Sequence, residues 1–100
     1  MTDNPVFAPG LFAGRHVLVT GGATGIGFGI ARELGGLGAR VTLASRDPAK
    51  LDDAVARLRT EGIAAARQVL NIRDAAAIEA LFATLAATGD LPDALINNAG

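Results

Sequence analysis

One hundred residues make one domain at most, and with half of them apolar and 19% charged the chain is not an intrinsically disordered tail. Nine basic residues against ten acidic ones leave a net charge of -1 and a pI near 5.6, so nothing marks a binder of nucleic acid or of an anionic membrane. The absence of cysteine and of any apolar run near the ~20 residues that cross a bilayer excludes a disulfide framework, a thiolate zinc site and a membrane span; the single histidine, His16, makes no metal site by itself.

Residues 1–13 read as an N-terminal arm, broken by Pro5, Pro9 and Gly10. Met1-Thr2-Asp3-Asn4-Pro5 lacks the basic start and apolar run of a secretory signal, so a cytoplasmic protein is expected. His16 to Thr20 is a short β-branched run stopped by Gly21-Gly22, as in a buried strand. From Ile26 the period lengthens, and Ile26, Ile30, Leu34 and Leu37 predict the inward face of a helix ended by Gly35, Gly36 and Gly38. Arg40 to Ala44 repeats the strand pattern. Asp47 and Pro48 then suit the N-cap and first position of a helix whose buried stripe is Leu51, Val55 and Leu58. Ala64 to Leu70 is a third strand. Asp74 caps a third helix carrying Ile78, Leu81, Phe82 and Leu85, and after a loop at 89–93 the fourth strand is Ala94 to Asn97. His16 reads as an ordinary polar residue, and Arg57, Arg59 and Arg67 as solvated charges.

Strand and helix alternate three times before the last strand. Parallel strands need crossover connections, and right-handed crossovers give an α/β, Rossmann-type doubly wound parallel sheet with helices on both faces, in the order 3-2-1-4. Residues 14–100 are expected to form the N-terminal half of such a domain.

The chemistry concentrates in Thr20-Gly21-Gly22-Ala23-Thr24-Gly25-Ile26-Gly27, which runs straight from strand to helix. Its glycines at 21, 25 and 27 are not spaced as Gly-x-Gly-x-x-Gly, and no Gly-Lys-Ser/Thr follows as in a P-loop. The physics is shared with both: glycines make the tight turn and let backbone approach a pyrophosphate at a helix N-terminus, where Thr24 adds a hydroxyl. The fourth strand ends in Asn97-Asn98-Ala99-Gly100, beside the first strand at the point where the strand order reverses.

Together these two motifs resemble the short-chain dehydrogenase/reductase family, whose Thr-Gly-x-x-x-Gly-x-Gly loop and Asn-Asn-Ala-Gly segment both match, over residues from about 14 to 100. The resemblance implies that Gly21, Thr24, Gly25, Ile26 and Gly27 line the cofactor's pyrophosphate and adjoining ribose. Asn98, Ala99 and Gly100 would border the ribose nearer the nicotinamide. Thr20 and Asn97 would tie the first and fourth strands together.

The end of the second strand separates NAD(H) from NADP(H). A carboxylate there would bond both ribose hydroxyls, but Ser45 and Arg46 stand instead, and arginine can clamp a 2′-phosphate with charge-assisted bonds. Asp47 is the rival for a 2′-hydroxyl, but its place before Pro48 favours capping. NADP(H) is therefore expected over NAD(H). After the third strand, Asn71 replaces the family's usual aspartate and keeps a carbonyl acceptor for the adenine amino group, and Ile72 would pack on the ring. Ala44-Ser45-Arg46 and Asn71-Ile72-Arg73, taken with the glycine loop, are similar to the enoyl-CoA and dienoyl-CoA reductases of the family.

The family's catalytic tyrosine, lysine and serine lie beyond its fourth strand. This sequence holds no tyrosine, and its only serine and only lysine are Ser45 and Lys50. No catalytic residue is therefore expected in these 100 residues, which read as the start of a longer enzyme. The resemblance implies an NADP(H)-dependent oxidoreductase that passes hydride to or from a carbonyl, an alcohol or an activated enoyl thioester. Its partner would be a small-molecule substrate, such as an acyl-CoA thioester, and the whole protein a homo-oligomer. The alternative is a module that binds a dinucleotide without turnover.

Overall fold

Short runs of Val, Leu and Ile bounded by glycine or by Asp caps leave little choice of element. The computed structural model, which describes residues 12–21, 23 and 25–98, follows them closely. In chain order it contains β1 (His16–Thr20), α1 (Gly25–Gly36), β2 (Arg40–Ser45), α2 (Pro48–Thr60), β3 (Ala65–Val69), α3 (Ala75–Ala87) and β4 (Ala94–Asn97). The expected arm lies outside the described residues as far as residue 11. Phe12 packs on the core, and its N–H donates to the Leu37 carbonyl at 2.8 Å.

All four strands are parallel and ordered β3-β2-β1-β4. β1 lies between β2 and β4 and is buried along its whole length. Successive side chains alternate between the two faces. Val17, Val19, Val41 and Leu43 pack with Leu51, Ala54, Val55 and Leu58 of α2 and Ala31 of α1. On the opposite face Leu18 and Ala44 meet Leu70 and Leu81, with Ile78, Phe82 and Leu85 of α3 against them. Helices thus cover both faces, as in a doubly wound sheet. Each leucine buried this way contributes about 1.5–3 kcal/mol.

Asp47 caps α2 by accepting from the N–H groups of Ala49 at 3.0 Å and Lys50 at 3.2 Å. Asp74 caps α3 by accepting from Ala77 N–H at 3.1 Å. β3 is one residue shorter at each end than its apolar run, although Ala64 and Leu70 still exchange backbone hydrogen bonds with β2. The predicted stripe of α1 needs correction. Ile26 is 74% exposed, and the inward face is made by Gly27 and Ala31, with Phe28 and Leu34 packed beside them. Small residues face the sheet there because α1 sits close above it.

Polar latches close the N-terminal edge of the sheet. His16 is buried, its Nδ1 lies 3.0 Å from the Asp90 carbonyl, and its Nε2 lies 2.8 Å from the Thr42 hydroxyl. A carbonyl can only accept, so Nδ1 carries the hydrogen and Thr42 can donate to Nε2. No group of three His, Cys, Asp or Glu is placed to hold a metal among the described residues. Arg40 binds the Asp90 carboxylate in bidentate fashion, and Asp93 accepts from the His16 N–H at 2.8 Å. Arg57, Arg59 and Arg67, expected as solvated charges, are exposed, and each also makes a contact: on the Phe28 ring, on the Ala65 carbonyl and on Asp52. No helix among the described residues is long and apolar enough to cross a membrane.

The Arg40 hydrogen bond holds the Asp90 carboxyl below its usual range, opposed by burial and assisted by the Arg40 charge. A carboxyl depressed in the folded state stabilises the fold above its unfolded pKa, and that contribution disappears as pH falls through the folded value. Urea unfolding of wild type and Asp90→Asn is therefore expected to differ at neutral pH and to converge below the normal carboxylate range, whereas a constant gap down to the lowest pH would contradict this role.

Candidate functional site

Because the strands are parallel, the C-terminal ends of all four gather at one edge, and the loops that leave them face one another. The β1–α1 connection turns on two glycines with left-handed backbone, Gly21 at φ 65° and Gly25 at φ 60°. Gly21 N–H still donates to the Ala44 carbonyl at 2.8 Å, extending the pairing of β1 with β2 by one bond. At Gly27 the constraint is spatial. A β-carbon there would lie 2.3 Å from the Gly21 carbonyl oxygen and 2.8 Å from Asn98 Nδ2. Thr20 ties the same edge to β4: its hydroxyl lies 3.0 Å from Asn97 Oδ1 and accepts the Asn98 N–H at 3.1 Å. Gly22, Thr24, Ala99 and Gly100 lie outside the described residues.

At the end of β2, Ser45 Oγ accepts the Asp47 N–H at 3.3 Å, and the Asp47 carboxylate is turned onto α2 as its cap. Arg46 is exposed between them. At the end of β3, Asn71 Oδ1, the acceptor expected for the adenine amino group, already accepts the Arg73 N–H at 3.0 Å and so closes the loop. Ile72 is half-buried and packs against the α3 side of the core.

An open groove of about 580 Å³ brings together Gly21, Ser45, Arg46, Asn71, Ile72 and Asn98, six residues singled out from the sequence. Gly25 instead borders a smaller depression of about 340 Å³ beside Phe28 and Lys50; Ile26 projects outward and Gly27 is buried beneath the turn. Of the four groove residues that the sequence reading of the site did not name, Ala44 and Leu70 are apolar strand-end residues and Lys50 and Arg73 are cations.

The charges sort themselves by place. Of the nine Lys and Arg residues, Arg15, Arg32, Arg40 and Arg67 pair with carboxylates, Arg59 with a backbone carbonyl and Arg57 with the Phe28 ring. The three whose side chains have no such partner among the described residues are Arg46, Lys50 and Arg73, and all three line this groove, which no carboxylate lines. Like charges left together at one concave edge raise the local potential for an anion.

The family model for short chain dehydrogenases matches residues 15–100. The chain belongs to the short-chain dehydrogenase family. It is 42% identical over 99 residues to a Streptomyces violaceoruber protein named as ketoacyl reductase 1 of the granaticin polyketide synthase, covering 99% of this chain and 36% of that one. Among solved structures, a citronellol catabolism dehydrogenase (AtuB) of Pseudomonas aeruginosa superposes with a TM-score of 0.89 at 38% identity, over 95% of this chain and 40% of the other. A variant of actinorhodin polyketide ketoreductase, solved with NADPH, gives a TM-score of 0.79 at 38% identity, over 86% and 33%. The chain thus spans between about a third and two fifths of the length of these relatives.

Two glycines of α1 separate packing from flexibility. Gly27→Ala drives a methyl into the Gly21 backbone and is expected to destabilise the protein by about 1–3 kcal/mol. Gly29→Ala meets nothing within 4 Å and is expected to stabilise the helix by about 0.5–1 kcal/mol. Thermal unfolding of the two variants decides the point, and equal shifts of the same sign would contradict the close approach.

Proposed function

We propose that this chain is the cofactor-binding part of an NADP(H)-dependent oxidoreductase that transfers hydride between the nicotinamide and a carbonyl or alcohol. The observation that carries the reading is the groove at the strand ends, where Arg46, Lys50 and Arg73 stand without side-chain partners among the described residues, beside Ser45 and with no carboxylate in its lining. An NAD(H) site would place a carboxylate at the end of β2 for the ribose hydroxyls. Asp47, the one carboxylate near that end, is already committed to capping α2. The NADPH in the structure of the related ketoreductase supports the same choice.

In this reading Gly21, Thr24, Gly25, Ile26 and Gly27 bring backbone and the N-terminus of α1 to the pyrophosphate. Ser45 and Arg46 hold the 2′-phosphate, Asn71 and Ile72 meet the adenine, and Asn98, Ala99 and Gly100 border the ribose nearer the nicotinamide. When bound, the cofactor supplies the hydride chemistry; these residues bind it, orient it and select it. Residues 14–100 would then be the N-terminal half of the Rossmann domain. The ketoacyl reductase name of the Streptomyces relative supports a carbonyl substrate over an enoyl thioester.

In the full chain, Arg46→Ala is expected to weaken NADPH by about 1.5–3 kcal/mol and to leave NADH nearly unchanged, as read by titration calorimetry. Equal losses for the two cofactors would remove the 2′-phosphate assignment. Gly25→Val puts a β-branched residue at φ 60° where the pyrophosphate would approach, and is expected to abolish binding of both cofactors. Undiminished NADPH binding by a folded Gly25→Val protein would contradict the role of the loop.

A further inference from the structure

We infer that Lys50 is a second phosphate-binding cation, so that selection of NADP(H) is shared between the end of β2 and the first turn of α2. The inference rests on the reading of the groove as a cofactor site and adds a residue to it. Lys50 lines three depressions: the groove of about 580 Å³, a neighbour of about 610 Å³ that Asp47 also borders, and the one of about 340 Å³ that it shares with Asp53; Gly21, Ser45 and Arg46 line the first two as well. An anion seated against Ser45 and Arg46 would therefore occupy depressions that Lys50 also lines.

The local fold holds the residue there. Lys50 N–H donates to Asp47 Oδ1 at 3.2 Å, so the N-cap that starts α2 also sets the direction of its third residue. Its ammonium group pairs with no carboxylate among the described residues, although Asp53 follows one turn later. A phosphate monoester carries a charge of about -1.5 to -2 at neutral pH, more than one guanidinium balances. Arginine supplies a flat fork and lysine a compact point charge on a flexible stem, so the two complement each other around one phosphate. Arg73, on the β3 side of the groove, raises the potential of the same site.

The test compares NADPH and NADH dissociation constants, by calorimetry, in the full chain and in Lys50→Gln, Lys50→Arg, Arg46→Ala and Arg67→Gln. Arg67 carries the same charge outside the groove, so its variant reports the effect of net charge alone. We expect Lys50→Gln to weaken NADPH about tenfold with NADH unchanged, Lys50→Arg to retain most of the affinity, and Arg67→Gln to change neither. If Lys50→Gln leaves the NADPH to NADH ratio intact while Arg46→Ala lowers it, the Lys50 assignment falls and the cofactor reading survives. If neither variant alters the ratio, both fall. A loss in Arg67→Gln equal to that in Lys50→Gln would also overturn the inference, because the effect would then be one of overall charge.

Discussion

A β-carbon on residue 27 would lie 2.3 Å from the Gly21 carbonyl and 2.8 Å from the Asn98 side chain, so α1 can start directly over the ends of β1 and β4 only with glycine at that position. The rest of the candidate site depends on this approach. It lets the helix N-terminus descend to the sheet edge, and it forces the preceding loop into a turn with left-handed backbone at Gly21 and Gly25. The Thr20 hydroxyl, bridging Asn97 and the Asn98 N–H, fixes β4 against β1 at the same height. Three segments distant in sequence thereby share one edge.

The two ends of the sheet differ electrically. At the N-terminal edge, the Asp90 and Asp93 carboxylates pair with Arg40 and Arg15, so these four charges have counterparts there. At the C-terminal edge three cations line a groove that no carboxylate lines. A net charge of -1 conceals this arrangement, since summation over the chain erases position. Exposed pairs such as Arg32 with Glu61 add little stability, but their charges offset each other, whereas the three groove cations have no side-chain partner among the described residues.

Much of this was legible in the amino-acid order. The apolar runs ending at Thr20 and Asn97, and the Asp caps at 47 and 74, report local conformation and survive in the structure. The inward face of α1 was not legible, because periodicity weighs large apolar side chains and the helix packs through Gly27 and Ala31. Close approach selects for small residues, which carry no hydrophobic signal. Lys50 and Arg73 were missed for a related reason. Each reads as an ordinary solvated charge until the parallel register brings the ends of β2 and β3 side by side, with Ser45 opposite Val69. The fold was written in local patterns, and the charge of the site in the pairing of strands.

A crystal structure of the full chain with NADP(H) tests the central claim most directly. The account requires the 2′-phosphate to lie against Ser45, Arg46 and Lys50 and the pyrophosphate to cross the start of α1 above Gly21 and Gly25. A cofactor seated away from the β2 end, or a 2′-phosphate directed into solvent with Arg46 and Lys50 unengaged, would contradict it.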